Sequence, residues 1–403
     1  MIIVYLAYAL LCLGFLLLFR VQFTANKNKI HLETKHVKNP KIAILIPARD
    51  ESKVIEPLLK SILVQSVSIA PEQVYIIVEK ETDPTIALAR KYHMQYFIRQ
   101  KLNLKTKGYA LQELIEDLEK KKEYYDLYFI FDADNILDKD FIRYMLEDYQ
   151  AGYAVSTGYR ALKNRNHYFP ISAGLTFYFI NEIRNRNVSK KNGSMLLSGT
   201  GYYIHGDYIR KWKTFPFHSL TEDYESSLYY ALHNISTHYQ DKAIFYDEQP
   251  ENYRKSIIQR SRWIKGYFQN YLAYQKQFKQ KLREHPDNKG AIIGMRIGVL
   301  PALCIVLGLL FLLGVNITNA YSFFLLIAFI YLVLIIVTAY ILTLVSKALK
   351  LNRKLYLQVL FYHPIFLLSY IHAFLRAMLK RNLNWEVIKH ETSEVEEISK
   401  ENL

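Results

Sequence analysis

Apolar positions in the middle of the chain fall in short runs separated by amphipathic stretches. Lys41–Pro47 (KIAILIP), bounded by Pro40 and Pro47, predicts a buried strand. Ser52–Gln65 follows with helical spacing through Val54, Ile55, Leu58, Leu59 and Ile62. Val74–Val78 (VYIIV) predicts a second strand and Thr85–Tyr92 a second helix; Tyr96–Arg99 a third strand and Gly108–Leu118 a third helix; Tyr125–Phe131 (YDLYFIF) a fourth strand. Strands alternating with helices imply an α/β fold, a mostly parallel sheet with helices on both faces. Past Phe141 the pattern loosens. His167–Ile183 is aromatic and amphipathic, Ser198–Gly201 reads as a loop, Tyr202–His205 as a strand and Asp223–Leu232 as a helix. Gln259–Leu282 sets Trp263, Tyr267, Phe268, Tyr271, Tyr274 and Phe278 among lysines and arginines, the pattern of a helix lying on a membrane face.

Longer apolar blocks flank this region. Met1–Phe19 carries no charge and is near the roughly 20 residues that a membrane crossing needs. It lacks a basic leading segment and a small-residue cleavage site, so an uncleaved anchor is expected. Ile297–Val315 and Tyr321–Val345 are two further spans, and Leu355–Leu379, broken by His363, Pro364 and His372, either spans or is re-entrant or interfacial. The expected organisation is an anchor at 1–20, a catalytic domain at 40–258, an interfacial helix at 259–288, a membrane region at 291–379 and a polar tail at 380–403. Arg20, Lys27, Lys29, Lys35, Lys38 and Lys41 follow the first block, which places the long middle region in the cytoplasm of a multi-pass cell-membrane protein.

Composition adds little beyond this. The 33 tyrosines and 22 phenylalanines suit a protein at a lipid interface. A formal charge of +15, with no nucleic-acid motif, points to membrane lipids and an anionic substrate instead of nucleic acid. Cys12 and Cys304 lie inside predicted spans, which excludes disulfide and zinc chemistry.

In parallel sheets ligands bind beyond the carboxyl ends of the strands. Arg49-Asp50-Glu51, Glu79, Asp83 and Asp132-Ala133-Asp134 all fall at such ends. Asp132 and Asp134 can aim two carboxylates at one hard cation, Mg2+ or Mn2+, shared with a diphosphate. The bare pattern also fits an acidic strand-end turn; the strand before it and the motifs after it favour the metal. Asp223, beside Glu222 and ahead of a helix, can serve as a general base. Thr221 and these acids would equally start a helix, and the two roles are compatible. Arg262 suits diphosphate oxygens and Trp263 a sugar face, with Gln259 one turn earlier. Lys265, Lys276, Lys279 and Lys281 read better as a basic helix surface. Lys105-Thr106-Lys107-Gly108 can meet phosphates at a helix start, although it is not a Walker loop. Gly199-Thr200-Gly201 suits close approach of backbone to a ligand or a plain turn.

The ordered motifs Asp132-Ala133-Asp134, Thr221-Glu222-Asp223 and Gln259-Arg260-Ser261-Arg262-Trp263 resemble those of the membrane-integrated family 2 glycosyltransferases, which include cellulose, chitin and hyaluronan synthases and bacterial exopolysaccharide synthases. The likeness covers roughly Ile42–Lys265. It implies a GT-A-like fold with a nucleotide-binding sheet plus transmembrane and interfacial helices. Ile46–Glu51 is similar to the family's first nucleotide-contacting loop, and Glu79 and Asp83 stand near its paired acids, with Lys80 replacing the second. The resemblance assigns nucleotide binding to Ala48, Glu51, Glu79, Asp83, Lys107, Asp132 and Arg262. It assigns the metal to Asp132 and Asp134, the catalytic base to Asp223, and acceptor binding to Gly199, Thr200, Glu222, Gln259 and Trp263.

The implied reaction is inverting transfer from a nucleotide-sugar, a UDP-sugar first, to a growing polysaccharide at the cytoplasmic membrane face, coupled to export. The alternative is transfer of one sugar to a membrane lipid. A third reading is a membrane-anchored binding protein with a decayed transferase domain, against which the three intact motifs argue. Three or four spans form a narrow bundle, so a polymer channel would call for a homo-oligomer or a partner membrane subunit.

Overall fold

The computed structural model describes residues 2–23, 37–190, 193–284 and 300–380. Its centre is an eight-stranded sheet of order β3-β2-β1-β4-β7-β6-β8-β5. The strands are β1 (Ile42–Pro47), β2 (Val74–Val78), β3 (Gln95–Ile98), β4 (Leu127–Ile130), β5 (Ile136–Leu137), β6 (Val155–Leu162), β7 (Tyr202–His205) and β8 (Thr237–Asp247). β3, β2, β1 and β4 pair in parallel, as the alternation predicts. β7 joins antiparallel to β4 and β6, β8 pairs in parallel with β6, and the short β5 closes the edge antiparallel to β8.

The parallel half follows from its sequence. β1 and β2 are almost continuously apolar and buried on both faces, the signature of a sheet covered on two sides. Helices α2 (Glu56–Leu63), α3 (Thr85–Lys91) and α4 (Lys107–Lys121) supply the covers between strands. Ile44, Ile76 and Phe129 pack with Leu58 and Ile62 in one layer; Leu45, Ile77 and Tyr128 pack with Leu111 and Leu114 in the other.

Two long strands escape the sequence reading. All eight residues of β6 (VSTGYRAL) are buried, and β8 (THYQDKAIFYD) runs eleven residues beside it. Apart from Ala243–Tyr246 at the end of β8, neither shows an apolar run or a clean alternation, because their buried polar groups are partnered within the fold. Asp148, on α5 (Phe141–Gln150), accepts from Ser156 and Gln240 and is bonded to the His238 ring, while Arg160 pairs with Asp247.

Next comes α6 (Tyr168–Phe179), which is apolar around most of its surface and passes through a π-helical segment, Ile180–Asn185, into α7 (Arg186–Ser189). α8 (Gly206–Trp212) and α9 (Glu222–Leu232) follow β7. The basic aromatic stretch forms two helices rather than one, α10 (Tyr253–Ala273) and α11 (Gln275–Glu284), parted at Tyr274. α10 buries Ile257, Arg260, Ile264 and Tyr267 against other helices, so its apolar side is occupied by protein. Phe278 of α11 packs on Leu228 and Leu232. Residues 285–288 of the expected interfacial helix lie outside the described residues.

Four apolar helices complete the described residues: α1 (Ile2–Phe23), α12 (Leu300–Asn316), α13 (Ala320–Leu349) and α14 (Arg353–Leu379). α1 packs on α12, where a Cβ at Gly308 would stand 2.9 Å from the Ala7 carbonyl oxygen. Among the described residues, two stretches are long and apolar enough to cross a membrane: Ala320–Val345, with mean hydropathy 2.9, and Arg353–Leu379, with 1.3. The segment suspected of a break is thus one helix, with Pro364 inside it, and it packs on α6, α10 and α13. Residues 297–299 of the expected second span and 381–403 of the tail lie outside the described residues, as do Lys27, Lys29 and Lys35.

Gly201 fixes the turn into β7. Its φ is +67°, and a Cβ there would lie 2.1 Å from the Phe245 ring. Gly201→Ala is expected to lower stability by about 3 kcal/mol, through overpacking and backbone strain together. Denaturant unfolding followed by circular dichroism measures this.

Candidate active site

β4 ends two residues before Asp132, and the chain turns there because Asn135 and Thr200 catch its backbone. The Asp132 N–H donates to Thr200 Oγ1 (2.9 Å) and Asn135 Oδ1 (3.2 Å), and the Thr200 hydroxyl also donates to Asn135 Oδ1. The Asn135 amide donates to Asp247 Oδ1 (3.0 Å) and Asp134 Oδ1 (3.3 Å). One fully buried asparagine therefore orients three acids. Carboxylate oxygens of Asp132, Asp134 and Asp247 lie within 4.8 Å of one another.

Sequence reading finds the first two acids and misses Asp247. The available signal was Ala243–Asp247 (AIFYD), an aromatic run ending in aspartate much like Phe129–Asp132 (FIFD). Arg160, also missed, bonds Asp247 Oδ2 (2.6 Å) and the Ser198 carbonyl (2.6 Å). Lys163 reaches the Asp134 carbonyl (3.2 Å) and Glu248 (3.5 Å). Three oxygen ligands at this spacing, two of them buried, fit a hard divalent cation such as Mg2+ or Mn2+.

Lys107, the first residue of α4, donates to Asp132 and to the Gly199 carbonyl (2.8 Å). The fold thus brings its loop to the acids. A Cβ at Gly108 would stand 1.8 Å from the Phe217 carbonyl oxygen, so only glycine permits this approach. Gly199 lies between the two acidic groups: its φ is +86°, and a Cβ there would be 3.4 Å from Asp223 Oδ2. Thr200 is fully buried with its hydroxyl engaged, so it braces the Asp132 turn and offers no surface to an acceptor.

Glu222 and Asp223 occupy the first turn of α9, where a helix start favours negative charge. The start is clamped from α10. The Asn270 amide donates to Thr221 Oγ1 (3.2 Å), Thr221 O (3.3 Å) and Ser219 Oγ (3.0 Å), and a Cβ at Gly266 would lie 2.4 Å from Thr221 Oγ1. The helix bearing the QRSRW sequence and the turn bearing Glu222 and Asp223 are thereby one unit. Gln259 and Trp263 are half-buried on α10, and the Trp263 ring meets Phe177 edge-on at 5.7 Å. Phe177 in turn underlies the Arg160 guanidinium at 3.7 Å.

Electrostatics follow from this crowding. Burial, then repulsion from Asp223, pushes the Glu222 carboxyl up to about 8. Burial also raises Asp223, against the opposing pull of the Tyr224 N–H and the charges of Lys107, Arg160 and Arg262. Arg262 is lowered by burial and held charged by Glu222, Asp132 and Asp223. The pair Glu222–Asp223 therefore retains a proton at neutral pH, and three cations surround it.

The remaining nucleotide candidates gather at the ends of β1 and β2. Ala48 is buried and donates its N–H to the Ile77 carbonyl (2.8 Å). The Glu51 carbonyl accepts from Val54 and Ile55. Glu79 pairs with Arg49 (2.9 Å) and Arg99 (3.4 Å), and Arg99 is locked by Glu113 (2.9 Å). Asp83 is buried, and its two oxygens accept the N–H groups of Thr85 (2.9 Å) and Asp50 (3.1 Å). Asp83 thus shapes the loop, while Glu79 bridges Arg49 and the buried Arg99.

A family profile described as "Glycosyltransferase like family 2" matches residues 40–266. Poly-beta-1,6-N-acetyl-D-glucosamine synthase of Staphylococcus epidermidis is 23% identical over 240 residues, 58% of this chain and 56% of the relative. The chain thus spans about half the length of the curated relatives it matches. Among solved structures, a mannosyltransferase from Pyrobaculum calidifontis in complex with GDP-Man and Mn2+ aligns with 94% of this chain and 100% of its own, with a TM-score of 0.59 and 13% identity. That likeness is one of fold.

Two outcomes are expected. Asp247→Asn should weaken Mn2+ binding by about tenfold or more, read by calorimetry or electron paramagnetic resonance of the free ion. Stability should also fall as pH rises from the ordinary glutamate value of 4.5 to about 8, because over that window the unfolded chain releases a proton that folded Glu222 keeps. Glu222→Gln should flatten that slope in pH-dependent unfolding measurements.

Proposed function

The chain belongs to glycosyltransferase family 2, and on that premise we propose that it transfers a sugar, with inversion, from a UDP-sugar to a growing polysaccharide at the cytoplasmic face of a membrane. The observation that carries this reading is the facing of Asp132, Asp134 and Asp247 against Glu222 and Asp223 across the Gly199 loop, with Lys107 and Arg262 between.

In this reading Lys107 and Arg262 hold the donor diphosphate, and Glu79 and Arg99 bound the base. Asp132, Asp134 and Asp247 would hold Mg2+ or Mn2+, which when bound neutralises charge on the diphosphate. Asp223 takes the proton of the acceptor hydroxyl as its oxygen bonds the anomeric carbon and the bond from that carbon to diphosphate breaks. Glu222, protonated at neutral pH, donates a hydrogen bond beside it and spares Asp223 a second negative neighbour. Trp263 and Gln259 bear on the acceptor sugar. The cations Lys107, Arg160 and Arg262 are fixed before reaction, so their stabilisation of the leaving group needs little reorganisation.

The polymer product rests on the kinship with the staphylococcal synthase, and export through the apolar helices is part of the same reading. The cytoplasmic side rests on the basic residues that follow the first apolar block. One observation favours the second reading, a lipid acceptor: α14, apolar over 27 residues, packs directly on α10, which brings a bilayer close to the acceptor side.

Purified protein in lipid with radiolabelled UDP-sugars and Mg2+ or Mn2+ should yield label in a glycosidase-sensitive polymer. Label confined to the organic phase would replace the polymer by a glycolipid, and no incorporation from any donor would overturn the transferase reading. Asp223→Asn should lower kcat by roughly 10²–10⁴-fold with donor binding retained, read by tryptophan quenching with UDP.

A further inference from the structure

Arg260 is the largest fully buried side chain among the described residues, 1% exposed. Its Nε donates to Ser256 Oγ (3.1 Å) on its own helix, and its Nη2 to Ser369 Oγ (2.8 Å) on α14. The guanidinium carbon lies 4.3 Å from the centre of the Phe366 ring and 4.4 Å from that of Tyr370, both on α14. Among the described residues no carboxylate stands within ion-pair distance of it. A buried cation of this kind is held by aromatic faces and hydroxyls, which offset only part of its desolvation. An apolar side chain of similar volume would stabilise the interface better. Stability alone therefore does not account for an arginine here.

Position does. Arg262 and Trp263 lie two and three residues further along α10. The two rings that hold Arg260 also touch α6: Phe366 meets Phe169 at 5.5 Å, and the Tyr370 hydroxyl is 3.3 Å from Thr176 Oγ1. Phe177, the next residue of α6, packs against Trp263. α6, α10 and α14 thus meet at one node, and Arg260 is its polar centre. Apolar contacts such as Ile257 and Ile264 on Ala373 and Ala377 can slide along the helix axes. A forked, planar group held between two rings and two hydroxyls cannot do so without losing its partners.

We propose that Arg260 is a positioning residue, through which the apolar helix α14 fixes the rotation and axial register of α10 and so aims Arg262 and Trp263 into the crevice. α14 is then part of the active-site scaffold as well as a membrane element. The kinetic side of this inference rests on the transferase reading; its structural side does not.

The test uses the full chain in lipid, with Trp212 and Trp385 replaced by Phe so that Trp263 reports alone. Arg260→Met should unfold no earlier than the parent. It should increase acrylamide quenching of Trp263 by about twofold and lower kcat on the order of tenfold, with KM for the donor changed far less. Tyr370→Leu and Ser369→Ala, which act from α14, should shift quenching and kcat in the same direction and decide the matter if Arg260→Met does not fold. Arg260→Lys should restore only part of the loss. Unchanged quenching and kcat in Arg260→Met and Tyr370→Leu would overturn the inference, as would a fall in kcat that merely tracks a fall in stability. If the parent transfers no sugar from any donor, the transferase reading fails, and Trp263 quenching still decides the role of Arg260.

Discussion

Five carboxylates converge on one crevice in this fold, and their mutual repulsion is the constraint on which the rest depends. Asp132, Asp134 and Asp247 stand within 4.8 Å of one another, and Glu222 and Asp223 face them across a glycine loop. Left to themselves in a partly buried place, such groups would separate or take up protons. Two devices hold them together. Lys107, Arg160 and Arg262 are drawn from three distant parts of the chain into the same space, and Glu222 keeps its proton. Asn135 then holds one oxygen each of Asp134 and Asp247, and with Thr200 it catches the Asp132 backbone, by neutral hydrogen bonds that add no charge.

This arrangement explains why so many close approaches occur nearby. Gly108 lets the Lys107 loop press on Phe217, Gly199 lets backbone pass beside Asp223, and Gly266 lets α10 touch Thr221. Each missing side chain brings one more segment within reach of the acids. The crevice is therefore a meeting of loops and helix starts with the sheet, to which β8 contributes Asp247 and β6 contributes Arg160. Such sites tolerate little displacement, since productive geometry is lost with shifts of about 1 Å.

α10 connects the two halves of the molecule. One side grips the start of α9 through Asn270, and the other lies on α14 through Arg260. Lys265 adds a bond to the Ala377 carbonyl (3.3 Å), and the Tyr253 hydroxyl meets the His372 ring (2.7 Å). The apolar helices also reach the sheet through α6 and through Leu342, Val345 and Val359, which pack with Tyr159 and Leu162 of β6, so α10 is one of several links between the two halves. An aromatic, basic sequence that suggests a bilayer surface also joins protein to protein.

The sequence by itself determined the parallel half of the sheet, the apolar helices and the acids Asp132, Asp134, Glu222 and Asp223. Continuous apolar runs such as IAILIP and VYIIV can be buried in few other ways, and acids at strand ends and helix starts are legible from local position alone. Tertiary structure decided β6 and β8, the third acid Asp247, the bracing role of Thr200 and the burial of Arg260. In each of these a polar side chain is buried because its partner lies far along the chain: Ser156 with Asp148 and, across 82 residues, His238; Arg160 with Asp247 across 87; Thr200 with Asn135 across 65; Arg260 with Ser369 across 109. Local pattern records what a residue prefers when alone. It cannot record a desolvation penalty that is offset only after the chain has closed on itself.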